Sequence, residues 1–130
     1  MAEVVGFPID EKKAEEIGAG TWMAVREVIG VVSKLDDGRW TIVYRGLVQA
    51  KKAKGVVIMP GQSVFVAPKD LGTGCYPLNS LIAQAGPMRK AGIALSEGKA
   101  DDEMIFTDVM GYDLQVIEIK PIMQGQKVQL

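Results

Sequence analysis

From Glu27 to Ala50 apolar and polar positions alternate on both sides of Asp36-Asp37-Gly38. A turn-forming Asp-Gly between two such segments predicts a β-hairpin. Upstream, Val28 to Val32 form a nearly continuous apolar run, broken only by Gly30. Downstream, Trp40, Ile42 and Tyr44 share one face of a strand, and Thr41, Val43 and Arg45 share the other. Trp40 and Tyr44 are therefore assigned to a core.

The same period continues along the chain. Thr21–Val32 opens the β region, and Val64, Phe65 and Val66 resume a strand after the turn dipeptide Pro60-Gly61, with Pro68 ending it. Lys90–Leu95 reads as a buried strand in which Ala91, Gly92 and Ala94 permit close backbone approach. Met104–Val109 and Leu114–Ile119 complete the set, joined around Gly111. The irregular stretch from Lys69 to Pro87 predicts a long loop with a short helix from Leu78 to Gln84, and loops of that length are functional or form interfaces. The expected fold is all-β, a barrel or sandwich of six to eight short strands with at most two short helices. It divides into an N-terminal arm (1–20), a β-rich domain (21–122) and a polar tail (123–130).

Residues 1–20 leave two readings open. Val4, Val5, Phe7 and Ile9 form an apolar tip, and Asp10 is placed to cap a short helical turn through Ile17 that Gly18 and Gly20 end. Either the tip is an appendage outside the core, leading that turn or pairing Val4–Phe7 as an edge strand, or the segment is a helix packed on its own domain.

Composition narrows the functional classes. At 130 residues, with 48% apolar and 24% charged positions, the chain suits one soluble globular domain. A net charge of −1 gives no general reason to expect nucleic acid, and no 18-residue apolar run or signal-peptide pattern predicts membrane insertion or secretion. Acidic ends bracket a basic middle, an arrangement that lets the ends lie across the subunit's own body or a neighbour's.

Histidine is absent, which removes the commonest general base and metal ligand. The serines lack a base to activate them, the single cysteine, Cys75, reads as buried or incidental, and Gly72-Thr73-Gly74 lacks the Gly-Lys-Ser/Thr ending of a phosphate loop. Asp101-Asp102-Glu103 lacks the spaced ligands of a calcium loop, and Lys51, Lys52 and Lys54 read as a solvated edge or, second, as a phosphate or acidic-partner site. No catalytic, cofactor or metal residue is assigned, and the chain is expected not to be an enzyme.

The order of these features resembles the lambda-type capsid-decoration, or head-stabilising, proteins of phages and their small relatives. The resembling pieces are Ile29-Gly30-Val31-Val32, Trp40-Thr41-Ile42-Val43-Tyr44-Arg45-Gly46, Pro60-Gly61-Gln62-x-Val64-Phe65, Lys90-Ala91-Gly92-Ile93-Ala94-Leu95 and the strand near Leu114–Ile119. The N-terminal segment is longer than in that family, Lys69–Pro87 is an added loop, and Gln62 stands where aspartate is usual. What the resemblance implies is a trimeric virion protein, assembled in the host cytoplasm, that binds the major capsid protein on the outside of an icosahedral shell and stabilises it. Neither nucleic acid nor membrane is an expected partner. On that reading Val4, Val5, Phe7 and Ile9 contact the capsid by strand addition, and Met59, Tyr76, Leu78 and Ile82 form the oligomer interface. Two alternatives stand beside it: another head–tail or tail-tube component, and a small-molecule-binding β-barrel domain of a cellular protein.

Overall fold

The Asp36-Asp37-Gly38 segment does turn the chain. Gly38 adopts φ +89°, which a residue with a Cβ disfavours, its N–H donates to Leu35 O (2.9 Å), and Leu35 N–H donates to Arg39 O (2.8 Å). The Asp37 carboxylate accepts from Arg39 N–H at 3.0 Å and Nε at 2.6 Å. This turn joins β3 (Val28–Lys34) to β4 (Trp40–Lys51), which pair antiparallel from Val31↔Val43 to Lys34↔Trp40.

The computed structural model describes residues 4–78, 87–113 and 116–118. Around the hairpin, all strand pairs are antiparallel. The remaining strands are β1 (Val5–Pro8), β2 (Trp22–Val25), β5 (Ser63–Val66), β6 (Tyr76–Pro77), β7 (Pro87–Ala94), β8 (Met104–Met110) and β9 (Val116–Glu118). The sheet order is β2-β3-β4-β8-β7-β5-β6, with β1 added to β4 and β9 added to β7. The all-β expectation holds: among the described residues nine strands, one of only two residues, form a single curled sheet with one short α-helix and one 3-10 turn (Leu71–Thr73).

One buried cluster fills the concave side and unites Trp22, Ile29, Val31, Val43, Val48, Ala50, Ile105 and Val109. Val43 and Val48 both face it, although an odd step separates them. The alternation is therefore reset between them, where Gly46 takes φ +124° and β4 exchanges one edge partner for another. Up to Arg45 that edge carries β1, and from Arg45 to Lys51 it carries β8.

The other face of the hairpin is not solvated. Ile42 and Val32 are buried there beneath α1 (Glu11–Ile17) and β1, packed with Ala14, Phe7, Ile9, Ile17 and Trp40. The Trp40–Ile42–Tyr44 face thus belongs to a second, smaller core, and Val43 on the opposite face belongs to the main one. Asp10 caps α1, its carboxylate accepting from Lys13 N–H at 3.3 Å, and Gly18 ends it at φ +97°.

Three sequence expectations need correction or placement. Only the far side of Pro60-Gly61 is a strand. The near side makes a single bridge, Ile58↔Gly98, and β5 pairs instead with β6 and β7. A tight turn at Arg26-Glu27 splits the Thr21–Val32 run into β2 and β3, with Arg26 at φ +57°. The helix expected over Leu78–Gln84 falls mainly on 79–86, outside the described residues, as does the tail at 123–130; of the strand expected at Leu114–Ile119, β9 is the described part.

Candidate functional site

The N-terminal apolar tip is a strand of its own sheet. β1 pairs with the first half of β4, Val5↔Arg45 through Pro8↔Thr41. Gly6 fits there because a Cβ would lie 2.4 Å from Thr41 Cγ2 and 2.5 Å from Ile42 O. Phe7 lies over Tyr44 with ring centroids 5.0 Å apart, and Ile9 packs against the core beneath α1. Val4 leans on the main core, whereas Val5 is 37% exposed. Of the two readings of residues 4–9, the structure places the segment on its own body.

That placement uses one edge of β1. Among the described residues no strand pairs with the other edge. Two shallow grooves meet beside it, with volumes of about 680 and 700 Å³, and Val4 and Leu35 line both. Trp40 lines the second groove, and its indole N–H is buried without an acceptor among the described residues. The site is an open strand edge flanked by partly apolar grooves, suited to backbone pairing and not to chemistry.

Met59 and Leu78 are large apolar side chains at 48% and 41% exposure. Tyr76 is buried with Phe65, Ala67 and Met88, so it serves its own core instead of a surface. Ile82 lies outside the described residues. Two other exposed apolar side chains meet Arg45: Val5 is paired with it across β1 and β4, and its guanidinium sits 5.9 Å from the ring centroid of Tyr112.

Two buried cations escaped the sequence reading. Arg89 is 9% exposed on β7 and donates to the carbonyls of Glu27, Gly111 (3.2 Å) and Asp113 (2.9 Å). It ties the β2–β3 turn to the end of β8. Lys52 is 3% exposed, and its Nζ donates to Ala53 O (2.8 Å), Val56 O (2.7 Å) and Ala100 O (3.5 Å). The lysine run is therefore not uniformly solvated: its middle member is an interior cross-link, and Lys51 and Lys54 flank a cleft. No sequence signal marks a lysine or arginine whose partners are all backbone carbonyls. Between described residues the one ion pair is Arg39–Asp37, so neither buried cation faces a carboxylate there.

Reactive groups are scattered. Cys75 lies inside the core, where burial pushes its thiol from the ordinary 9.0 up to about 12 against the opposing pull of the Lys52 charge. Ser96 Oγ accepts from Phe106 N–H at 3.1 Å, and Asp102 caps its own turn by accepting from Lys99 N–H at 2.8 Å. Among the described residues no group of three or more histidine, cysteine or acidic side chains is placed to hold a metal. No helix described is long and apolar enough to cross a membrane. No protein-family model matches the chain, and neither any curated protein nor any solved structure does.

Proposed function

We propose that the chain is a structural virion protein that docks as a trimer on the outer surface of an icosahedral phage capsid and stabilises the shell. The observation that supports this reading is the open outer edge of β1. Held to β4 by one edge and by Phe7 and Ile9 beneath, β1 is anchored in its own subunit and still offers outward backbone groups, Pro8 supplying a carbonyl but no N–H. A strand of the major capsid protein adding there would continue the sheet across the boundary between molecules. Backbone hydrogen bonds supply affinity, and the flanking grooves select side chains. Exposed Val5 sets the register of that added strand, and Met59 and Leu78 are the surface residues left for contacts among copies.

The test leaves the fold alone. Removing 2–9 would uncover Ile42 and Val32, so the informative change is Val5→Lys, since an edge lysine blocks strand pairing. The wild-type protein is expected to sediment with icosahedral particles and to run as three copies by native mass measurement. Val5→Lys is expected to keep the trimer and lose the particle. A protein that binds no particle, or that binds equally well with Val5→Lys, refutes the reading; a ring of six or more copies points to a connector or tube component.

A further inference from the structure

We propose that the cleft between the end of β4 and the 3-10 turn binds a phosphate-class oxyanion carried by a small molecule. This site lies apart from the β1 edge and does not depend on whether the chain sits on a capsid. The cleft has a volume of about 480 Å³, enough for a small ester, and its lining residues include Lys51, Lys52 and Lys54 against one acidic residue, Glu103; the Lys52 ammonium itself is turned to carbonyls outside the lining. In a chain of net charge −1, that concentration of positive charge is local.

Lys52 makes the site more than a pair of surface lysines. Its ammonium is buried and fixed by three carbonyls, so it can neither swing out to solvent nor meet a carboxylate among the described residues. Beyond the described side chains the sequence holds two acidic ones, Glu3 and Glu118. Carbonyl dipoles lower the cost of burying the ammonium, but they leave its net charge, and a buried charge is weakly screened. Its field reaches the cleft that Lys52 helps to line. Lys51 and Lys54 stand on the same wall with no ion-pair partner among the described residues and supply donors that close on a ligand.

The charge balance selects the ligand class. A monoanionic carboxylate gains less from several ammonium groups than a phosphate monoester does, since the latter carries close to two charges at neutral pH. Lysine binds phosphate as a point charge without demanding the planar fork that arginine provides. Tyr76 and Met104 add an apolar wall, which suits the organic body of an ester better than the free ion.

Titration of the full chain with inorganic phosphate and with phenyl phosphate, at constant ionic strength and read by amide chemical shifts, tests the assignment. Saturable shifts confined to residues 51–54, 72–76 and 103–104 are expected, with phenyl phosphate the tighter ligand. The double variant Lys51→Gln/Lys54→Gln, whose spectrum away from the cleft should be unchanged, is expected to bind at least ~10-fold more weakly. Glu103→Gln should tighten binding by removing the opposing charge. Equal affinity for the two probes would assign the cleft to phosphate itself. Shifts that grow linearly and spread over every lysine, or unchanged affinity in the double variant, would overturn the proposal.

Discussion

Arg89→Met is the most discriminating test of how this sheet is closed. The guanidinium makes three hydrogen bonds to carbonyls, one on the β2–β3 turn and two just beyond β8, while its Nε is buried without a partner among the described residues. Charge-assisted bonds of this kind contribute ~1.5–3 kcal/mol each, about 5–9 kcal/mol in all. Against that stands the burial of a cation that no ion pair between described residues neutralises, an effective penalty of several kcal/mol that methionine would relieve. The carbonyls do not all become orphans: Gly111 O keeps the N–H of Ile29 at 2.9 Å, and Glu27 is at the surface. The net loss expected is about 2–3 kcal/mol, or roughly 8–12 °C in melting temperature for a domain of this size.

Urea unfolding followed by the fluorescence of buried Trp22 measures that loss, with Arg39→Met as comparison. Arg39 and Asp37 form a true ion pair, 2.6 Å apart, but they are 73% and 53% exposed, so the change should cost less than Arg89→Met does. Hydrogen exchange adds a local readout, because the Ile29 amide should lose protection in Arg89→Met. Equal midpoints for Arg89→Met and the wild type, or a larger loss from Arg39→Met, would show that the guanidinium's burial cancels its bonds and that closure rests on packing alone.

Two further outcomes follow from the same geometry. Gly92→Ala would set a Cβ 2.3 Å from Asp108 O in the β7–β8 ladder and should unfold the sheet or cost well over ~3 kcal/mol, whereas Gly38→Ala meets no atom within 4 Å and should cost only about 1 kcal/mol of turn strain; similar melting temperatures for the two variants would contradict this. Cys75 should make stability fall above pH 9: the unfolded thiol ionises near 9.0 while the folded one is held protonated to about 12, so its contribution is intact below 9 and is lost across that window at ~1.4 kcal/mol per pH unit. The difference between wild type and Cys75→Ala isolates the thiol from titrating lysines, and a difference that stays flat between pH 9 and 11 would refute the assignment.

By itself the sequence determined the elements whose cause is local. Asp36-Asp37-Gly38 had to turn, because alternating segments flank a residue free to take positive φ; Asp10 and Gly18 had to bound a helix; Gly92 had to sit where two backbones meet. Residues 4–9 were a different matter. An apolar tip satisfies its hydrophobic residues equally well against a partner or against its own body, and only the free β4 edge and the Val32–Ile42 surface decided for the latter. The same holds for Val43 and Val48: period-two alternation assigns them to opposite faces, and the reset at Gly46, where β4 changes partners, returns both to one core. Lys52 reads as a surface charge, and Arg89 draws no assignment, because no side chain near either in the sequence marks a partner. Their acceptors are mostly carbonyls of turns brought in from elsewhere, Glu27 and Gly111 for one and Ala100 for the other, and a carbonyl has no side-chain identity for a sequence to display.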